Sequence, residues 1–232
     1  TMYRYNIILS NSDQNETKEL ELLDTMLGKQ VDGIVMMSDH VTDKIASAIR
    51  QSPVPVVLAG SIINDSSIPS VNIDYFQAAM DAIQLFINKG HKEIAFVSGP
   101  LEYTINGEHK LGAYKQALQQ ANIEINEQLI DATDGTYDEA LLSWESFVQK
   151  AHVPTAIFAG SDEIALGIIH AIQDAGKRVP EDVEVISFEN SKLARMIRPQ
   201  LTSVALPLYD IGAVSMRLLT KLLNKEEVPD KN

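Results

Sequence analysis

Residues 155–172, TAIFAGSDEIALGIIHAI, contain the pattern that decides the fold. Thr155 and the four apolar residues after it have the length of a strand, which ends at a Gly-Ser pair. Ile164, Ile168 and Ile172 then recur at the spacing of one helix face. A fully apolar strand followed closely by an amphipathic helix indicates a β-α unit whose strand is covered on both faces, as in a parallel sheet.

The same alternation of apolar runs and amphipathic helices extends along most of the chain, which predicts an α/β fold. Asp13 is placed to cap the first helix, and Gly90 and Gly176 are placed to end two others in the left-handed conformation. Strands are predicted at residues 5–10, 33–37, 54–59, 70–73, 93–98, 155–159, 183–188 and 201–204.

Composition limits the classes of protein that fit. The 232 residues are 45% hydrophobic, enough for one large α/β unit or a pair of lobes. A net charge of −13 repels a phosphate backbone, so this segment is not expected to bind DNA alone. Cysteine is absent, and no apolar run or leader sequence indicates a membrane span or export, so we expect a cytoplasmic protein. Because the first predicted strand begins almost at once, upstream sequence is expected.

Motifs for catalysis are missing from the sequence. It has no G-x-G-x-x-G after a strand, no phosphate-binding loop ending in Gly-Lys-Ser/Thr, no G-x-S-x-G and no H-E-x-x-H. His91 and His170 have no motif partner nearby, which favours ordinary surface histidines over general bases. We therefore expect no enzyme activity, no cofactor and no catalytic metal.

Polar residues that follow predicted strands are more informative, because ligands of open α/β sheets bind outside the carboxyl ends of the strands. Such side chains can hydrogen-bond a hydroxylated ligand. Helix capping alone accounts for Asp74, Ser161 and Asp162, and for each taken singly it is the favoured interpretation. Their joint placement raises the alternative of a binding site. The candidate set is Asp74, Lys110, Ser161, Asp162 and Glu189.

The last predicted helix, residues 209–224, carries a second candidate surface. Arg217 and Lys221 lie four residues apart on one face, flanked by Met216 and Leu218. Two adjacent cations with apolar neighbours can bind a phosphorylated partner. A solvated cationic strip on an acidic protein explains the same residues, and without further information it is the favoured interpretation.

Seven stretches of the chain resemble core signatures of the LacI/GalR family of bacterial transcription regulators and occur in that family's order. Three more resemble the branch of the family that acts in carbon catabolite control: NSDQN (11–15), MLGKQVD (26–32) and YDIGAVSMRLLTKL (209–222). The seven stretches are VDGIV (31–35), PVPVVLA (53–59), VNID (71–74), GHKEIA (90–95), SDEIALG (161–167), VPED (179–182) and RPQLTSV (198–204).

The resemblance implies a two-lobe, periplasmic-binding-protein-like fold of type I, each lobe a mainly parallel sheet flanked by helices. It places residues 1–74 and 207–232 in the N-terminal lobe and residues 75–206 in the C-terminal lobe. It also implies a homodimer. Operator DNA would be contacted only by a helix-turn-helix domain, which is expected upstream of this chain.

The resemblance also implies roles for the two candidate surfaces. Asp74, Lys110, Ser161 and Glu189 match effector contacts of sugar-responsive relatives, and Asp162 lies beside them. The family usually has arginine and aspartate where Lys110 and Glu189 stand, which weakens the case for a neutral sugar. Sugar phosphates such as glucose 6-phosphate or fructose 1,6-bisphosphate are then expected as weak effectors.

The main signal implied for this branch is a protein, serine-phosphorylated HPr or its paralogue Crh, which would favour the operator-binding state. Two alternatives stay open: a repressor that responds to a free sugar, and an extracytoplasmic sugar-binding protein of a transporter. Upstream sequence would separate them. The residues implied for docking are Tyr209, Asp210, Val214, Met216, Arg217, Leu218 and Lys221, with Tyr3 as a neighbour.

Overall fold

The computed structural model describes residues 5–226, which form two units. Described residues up to Asn72, together with those from Leu208 onward, make unit 1, and Ile73–Pro207 makes unit 2. The chain therefore crosses between the units at 72–73 and 207–208. The sequence had suggested crossings at 74–75 and 206–207.

Unit 1 contains a three-stranded parallel sheet in the order β1-β2-β3. Alternate residues of β2 face opposite sides, because side chains alternate along a strand. Leu58 packs among helices α1 and α2, whereas Val57 packs against Leu218 and Leu219 of α8. The elements are α1 (Glu16–Gly28), β1 (Ile34–Met36), α2 (Asp43–Gln51), β2 (Val56–Ala59), β3 (Ser70–Val71) and α8 (Leu208–Leu223).

Unit 2 contains a five-stranded parallel sheet in the order β5-β4-β6-β7-β8. Its largest described core cluster joins the sheet to the buried faces of α5 and α6, including Trp144 and Ile168. The elements are α3 (Tyr75–Asn88), β4 (Ile94–Ser98), α4 (Gly112–Gln120), β5 (Ile130–Ala132), α5 (Tyr137–Gln149), β6 (Ala156–Ala159), α6 (Asp162–Asp174), β7 (Glu184–Glu189), α7 (Lys192–Met196) and β8 (Thr202–Ala205).

Three predictions were wrong or incomplete. Tyr5–Ser10 is not a strand, because these residues belong to neither sheet formed within residues 5–226, and Leu9 is 92% exposed. The sequence missed β5, a three-residue edge strand whose Asp131 interrupts the apolar run. The cap of α1 is Asn15 rather than Asp13.

Other local predictions are confirmed. Gly90 and Gly176 follow helices with φ of 90° and 74°, the left-handed conformation that glycine adopts without a steric penalty. Parallel sheets flanked by helices agree with the predicted α/β class. Over residues 5–226, no helix combines the length and apolarity that crossing a bilayer requires.

Helices α5 and α6 approach each other closely at Gly167. A Cβ atom on Gly167 would lie 2.6 Å from the main-chain oxygen of Tyr137 and 2.9 Å from Cβ of Ala140. Both neighbours belong to the backbone or lie next to it, so neither can turn away. Gly212, in α8, offers the opposite case, because a Cβ there meets nothing within 4 Å.

These two glycines give a matched test of packing. Gly167→Ala should lower the free energy of unfolding by about 1–3 kcal/mol, because overpacking outweighs the gain in helix propensity. Gly212→Ala should raise it by up to about 1 kcal/mol. Urea unfolding followed by circular dichroism measures both, and a stabilised Gly167→Ala protein would contradict the close helix contact.

Glu19 is a buried carboxylate in α1, with 7% of its surface exposed. Oγ of Ser38 lies 3.2 Å from its Oε2, and Oγ of Ser12 lies 3.5 Å from its Oε1. Burial raises the pKa of Glu19 above its ordinary value, although the hydrogen bonds from Ser38 and Ser12 lower it. A carboxyl group with a raised pKa favours the folded state when protonated, so its contribution is lost as the pH rises through the raised value.

Replacing Glu19 with glutamine should remove this pH dependence. As the pH rises from about 4 through the raised pKa, the unfolding free energy of Glu19→Gln should increase relative to that of the unsubstituted protein. At higher pH the difference between the two proteins should stay constant. Urea titrations between about pH 4 and pH 8 measure the difference. Glu21→Gln, at an exposed position of the same helix, controls for the loss of one negative charge. The same pH profile in both variants would exclude burial as the cause.

Candidate functional site

The five candidate ligand-binding residues all lie in unit 2, near the carboxyl ends of its strands. Ser161 follows β6, and Glu189 is the last residue of β7. Lys110 lies in a π-helical segment, Ile105–Leu111, that runs directly into α4. Asp74 immediately precedes α3. Parallel strands end at one edge of a sheet, which brings these segments to the same edge.

The ring of Phe188 contacts residues from several of the segments at this edge. It is completely buried, and Nζ of Lys110 lies 4.6 Å from its centroid, within the range of a cation–π interaction. Tyr75, beside Asp74, stacks on the same ring with centroids 6.1 Å apart. Phe188 precedes Glu189, so one aromatic ring contacts or adjoins three of the candidates. Sequence analysis did not select Phe188, because it is also an ordinary apolar strand residue.

Lys110 is a buried ammonium group with 6% of its surface exposed. Its Nζ donates a hydrogen bond to the main-chain oxygen of Gly160 at 2.8 Å and lies 3.5 Å from Oδ1 of Asn106. Burying a charge is favourable only where polar groups replace its water. The main-chain oxygen of Gly160 holds the ammonium group at the end of β6, where a positive charge can attract an anionic group.

Asp162 is more completely buried, with 1% of its surface exposed. Its Oδ1 accepts hydrogen bonds from Oγ of Ser187 at 2.5 Å and from Oγ of Ser203 at 2.7 Å. Its Oδ2 accepts one from the main-chain N–H of Ser191 at 2.5 Å. These partners come from β7, from the segment after it and from β8. No local pattern could have indicated these partners, since they lie 25 to 41 residues away.

Asp74 and Ser161 are helix caps, as the simpler interpretation of the sequence predicted. The side chain of Asp74 accepts a hydrogen bond from Gln77 N–H at 2.8 Å, and that of Ser161 accepts one from Ile164 N–H at 3.2 Å. Asp162, also considered as a cap, has other partners. Capping leaves further hydrogen-bonding capacity on both side chains, so it is compatible with ligand contact.

Glu189 and Asn190 have unusual backbone conformations, with φ of 111° and 53°. Such positive values strain a residue that carries a side chain, and they are common at functional sites. Glu189 is half-buried. The strained pair stands where β7 ends, beside the partners of Asp162.

Helix α8, in unit 1, presents most of the second candidate surface. Tyr209 is 86% exposed and Val214 is 43% exposed. Leu218, expected on this surface, is instead 8% exposed and packs with Val57 in the core. Tyr3 lies outside the described residues. Of the remaining residues, Asp210 and Arg217 are exposed, whereas Met216 and Lys221 are half-buried.

Within the described part of the chain, no group of three or more histidine or acidic side chains is arranged to hold a metal ion. The polar edge of unit 2 is instead suited to hydrogen bonding. It combines a buried ammonium group with carboxylate and hydroxyl oxygens. Such a set recognises polar ligands by position and charge.

Comparison with known proteins gives a consistent family. Residues 83–232 match the family model for the periplasmic binding protein-like domain. Catabolite control protein A of Priestia megaterium is 57% identical over 228 residues, which cover 98% of this chain and 69% of that protein. Both findings support the fold class predicted from the sequence.

Solved structures agree. The transcription regulator CcpA of Lactococcus lactis has a TM-score of 0.93 and 43% identity, covering all of this chain and 84% of that one. The complex of the transcriptional regulator CelR with cellobiose has a TM-score of 0.84 and 30% identity, covering 92% and 66%. These relatives are regulators rather than enzymes. The chain therefore belongs to the LacI family of transcription regulators and, within it, to the catabolite control protein A group.

Proposed function

We propose that this chain is the regulatory core of a carbon catabolite regulator and that serine-phosphorylated HPr or Crh binds it through the exposed face of α8. This face carries the proposal, because it presents cations and apolar side chains together. The other candidate surface, around Lys110, is proposed to bind small effectors more weakly.

The charge on α8 fits a phosphorylated partner. Arg217 and Lys221 lie one helical turn apart, and among residues 5–226 neither has an ion-pair partner within 4.0 Å. A phosphoserine carries about −1.5 to −2 charges at neutral pH. Arginine can bind a phosphate through two parallel hydrogen bonds, and lysine adds a point charge. Two such cations on a chain of net charge −13 form a local site for an anion.

Apolar contact would come from the same helix. Tyr209 leaves 86% of its surface in water, and Val214 lies on the exposed side one to two turns later. Exposed tyrosine and arginine residues are the types that contribute most binding energy at protein interfaces. Asp210 is placed to pair with a basic residue of the partner. Leu218 supports this face from the core rather than contacting the partner.

The regulatory step would be a shift between two states. The core is proposed to act in the cytoplasm as a homodimer, and operator DNA is proposed to bind a helix-turn-helix domain outside residues 1–232. Partner binding would favour the arrangement of the two units that sets the spacing of the DNA-binding heads. It does so only if the partner binds that state more tightly than the other.

Small effectors form the second part of the proposal. Lys110 supplies a positive charge, which suits sugar phosphates such as glucose 6-phosphate or fructose 1,6-bisphosphate. A repressor that responds to a free sugar is the rival function, supported by the similarity to the CelR–cellobiose complex. Tighter binding of the phosphorylated sugar would favour the proposed function, and tighter binding of the free sugar would favour its rival.

The first test measures binding of HPr by calorimetry. Serine-phosphorylated HPr should bind at least about tenfold more tightly than unphosphorylated HPr, because charge-assisted hydrogen bonds form only with the phosphate. Arg217→Ala should reduce this preference by about tenfold or more. Arg195→Ala, an exposed arginine of α7 in unit 2, should leave it unchanged.

Equal affinity for the two forms of HPr would refute the docking proposal. So would a loss of equal size in Arg217→Ala and Arg195→Ala, since that would indicate general electrostatic attraction rather than a site. Crh, measured in the same way, shows which of the two partners binds more tightly.

The second test concerns the effector site. Lys110→Met keeps most of the side chain but removes the charge, and it should weaken glucose 6-phosphate binding by roughly tenfold or more. Calorimetry with glucose 6-phosphate and with glucose provides the measurement. Lys92→Met removes an exposed lysine elsewhere in unit 2 and should have little effect. Tighter binding of glucose than of glucose 6-phosphate would favour the rival function.

A further inference from the structure

The carboxylate of Asp162 contacts three elements but almost no solvent. Oδ1 accepts from the hydroxyls of Ser187 and Ser203, and Oδ2 accepts from the main-chain N–H of Ser191. With 1% of the residue exposed and both oxygens bonded, little of this side chain is accessible to a ligand. The helix it begins is capped by Ser161, so the carboxylate is not needed as a cap.

Its partners surround a short segment of chain. Ser187 stands two residues before Glu189, and Ser191 stands two residues after it. A third link reaches Asn190, whose N–H donates to Oγ of Ser203 at 2.9 Å, while that hydroxyl donates to Asp162. Bonds to Ser187 and Ser191 therefore fix the chain before and after the strained pair Glu189 and Asn190. The bond from Asn190 to Ser203 ties the pair itself to β8.

Strain makes these links important. With φ of 111° and 53°, Glu189 and Asn190 occupy conformations that persist only where their surroundings hold them. The main-chain oxygen of Glu189 accepts from Leu206 N–H at 3.3 Å, which fixes one side of the segment. The bonds that fix the other side converge on Asp162.

We infer that Asp162 is a positioning residue of the effector site. It holds Glu189 and Asn190 in their left-handed conformations, and Glu189 rather than Asp162 contacts the effector. The part of this inference that concerns the effector rests on the proposed function. The part that concerns the backbone stands on the hydrogen bonds of unit 2 alone.

The chemistry explains why a carboxylate occupies this position. Three donors converge on one side chain, and an ionised carboxylate accepts hydrogen bonds without donating any. The N–H of Ser191 cannot reverse its role. The hydroxyl of Ser203 accepts a hydrogen bond from the N–H of Asn190, so its own proton is donated to the carboxylate of Asp162. Each bond in this chain therefore has a defined donor and acceptor. An amide at residue 162 would present a donor to one of these groups and break that order.

The first arm of the test observes the backbone without a ligand. In Asp162→Ala, the amide of Ser191 should exchange with deuterium at least about tenfold faster, because it loses its hydrogen-bond acceptor. Ser203→Ala should expose the amide of Asn190 while the amide of Ser191 stays protected. Thr136→Ala removes the N-cap of α5 and controls for general destabilisation, with no effect on either amide. Should Asp162→Ala fail to fold, Asp162→Asn provides the same readout with a smaller expected change.

The second arm measures glucose 6-phosphate binding in a double-mutant cycle. Asp162→Ala should weaken binding by about tenfold when Glu189 is present and by much less in the Glu189→Gln protein, because it acts through Glu189. A purely structural role would give the same loss in both backgrounds, and that result would overturn the positioning role.

The two arms keep the separate claims distinguishable. An unchanged Ser191 amide in Asp162→Ala overturns the inference, whatever the ligand does. If the unsubstituted protein does not bind glucose 6-phosphate, the proposed effector is wrong, while the amide exchange still decides whether Asp162 holds the segment. Faster exchange with unchanged affinity in a binding-competent protein overturns the link to the effector.

Discussion

The buried carboxylate of Asp162 determines how the candidate ligand-binding edge of unit 2 is built. An ionised group with 1% of its surface exposed is stable only if donors replace the water it has lost. Ser187, Ser191 and Ser203 provide them, and each comes from a different strand or from the segment after it. The ends of β6, β7 and β8 therefore have one compatible arrangement. An apolar sheet could slide or repack at this edge, but a sheet joined by a carboxylate cannot do so without exposing a charge.

The buried ammonium of Lys110 lies at the same edge but has different kinds of partner. Its partners include a main-chain carbonyl, an amide oxygen and an aromatic face. These groups replace part of the water that the cation loses on burial. Asp162 is surrounded by hydroxyls and an amide rather than by a cation. Lys110 binds the main-chain oxygen of Gly160, two residues before Asp162, so both side chains lie at this edge of the sheet.

Sequence reasoning found most of the strands and the two caps, because those depend on local pattern. Asp74 and Ser161 cap their helices through residues only three positions away. Long-range features were less accessible. Tyr5–Ser10 has the composition of a strand, yet strand formation needs a neighbour. The partners of Asp162 are serines distant in sequence, and serine is too common to stand out. Lys110 lies inside a π-helical segment, an irregularity that no local pattern in the sequence predicted.

Helix α8 buries the residues on one side and exposes those on the other. Ile211, Ser215, Leu218 and Leu219 are buried, while Asp210, Val214 and Arg217 lie on the exposed side at intervals of three and four residues. Packing in the core therefore restricts which side chains fit at the buried positions, and it restricts the exposed positions much less. Arg217, in the second set, and the exposed Tyr209 lie outside the cluster that packs Val57 with Leu218 and Leu219, so that packing does not account for them. On a chain with a net charge of −13, an exposed arginine beside apolar side chains is the composition that the proposed docking of a phosphorylated partner requires.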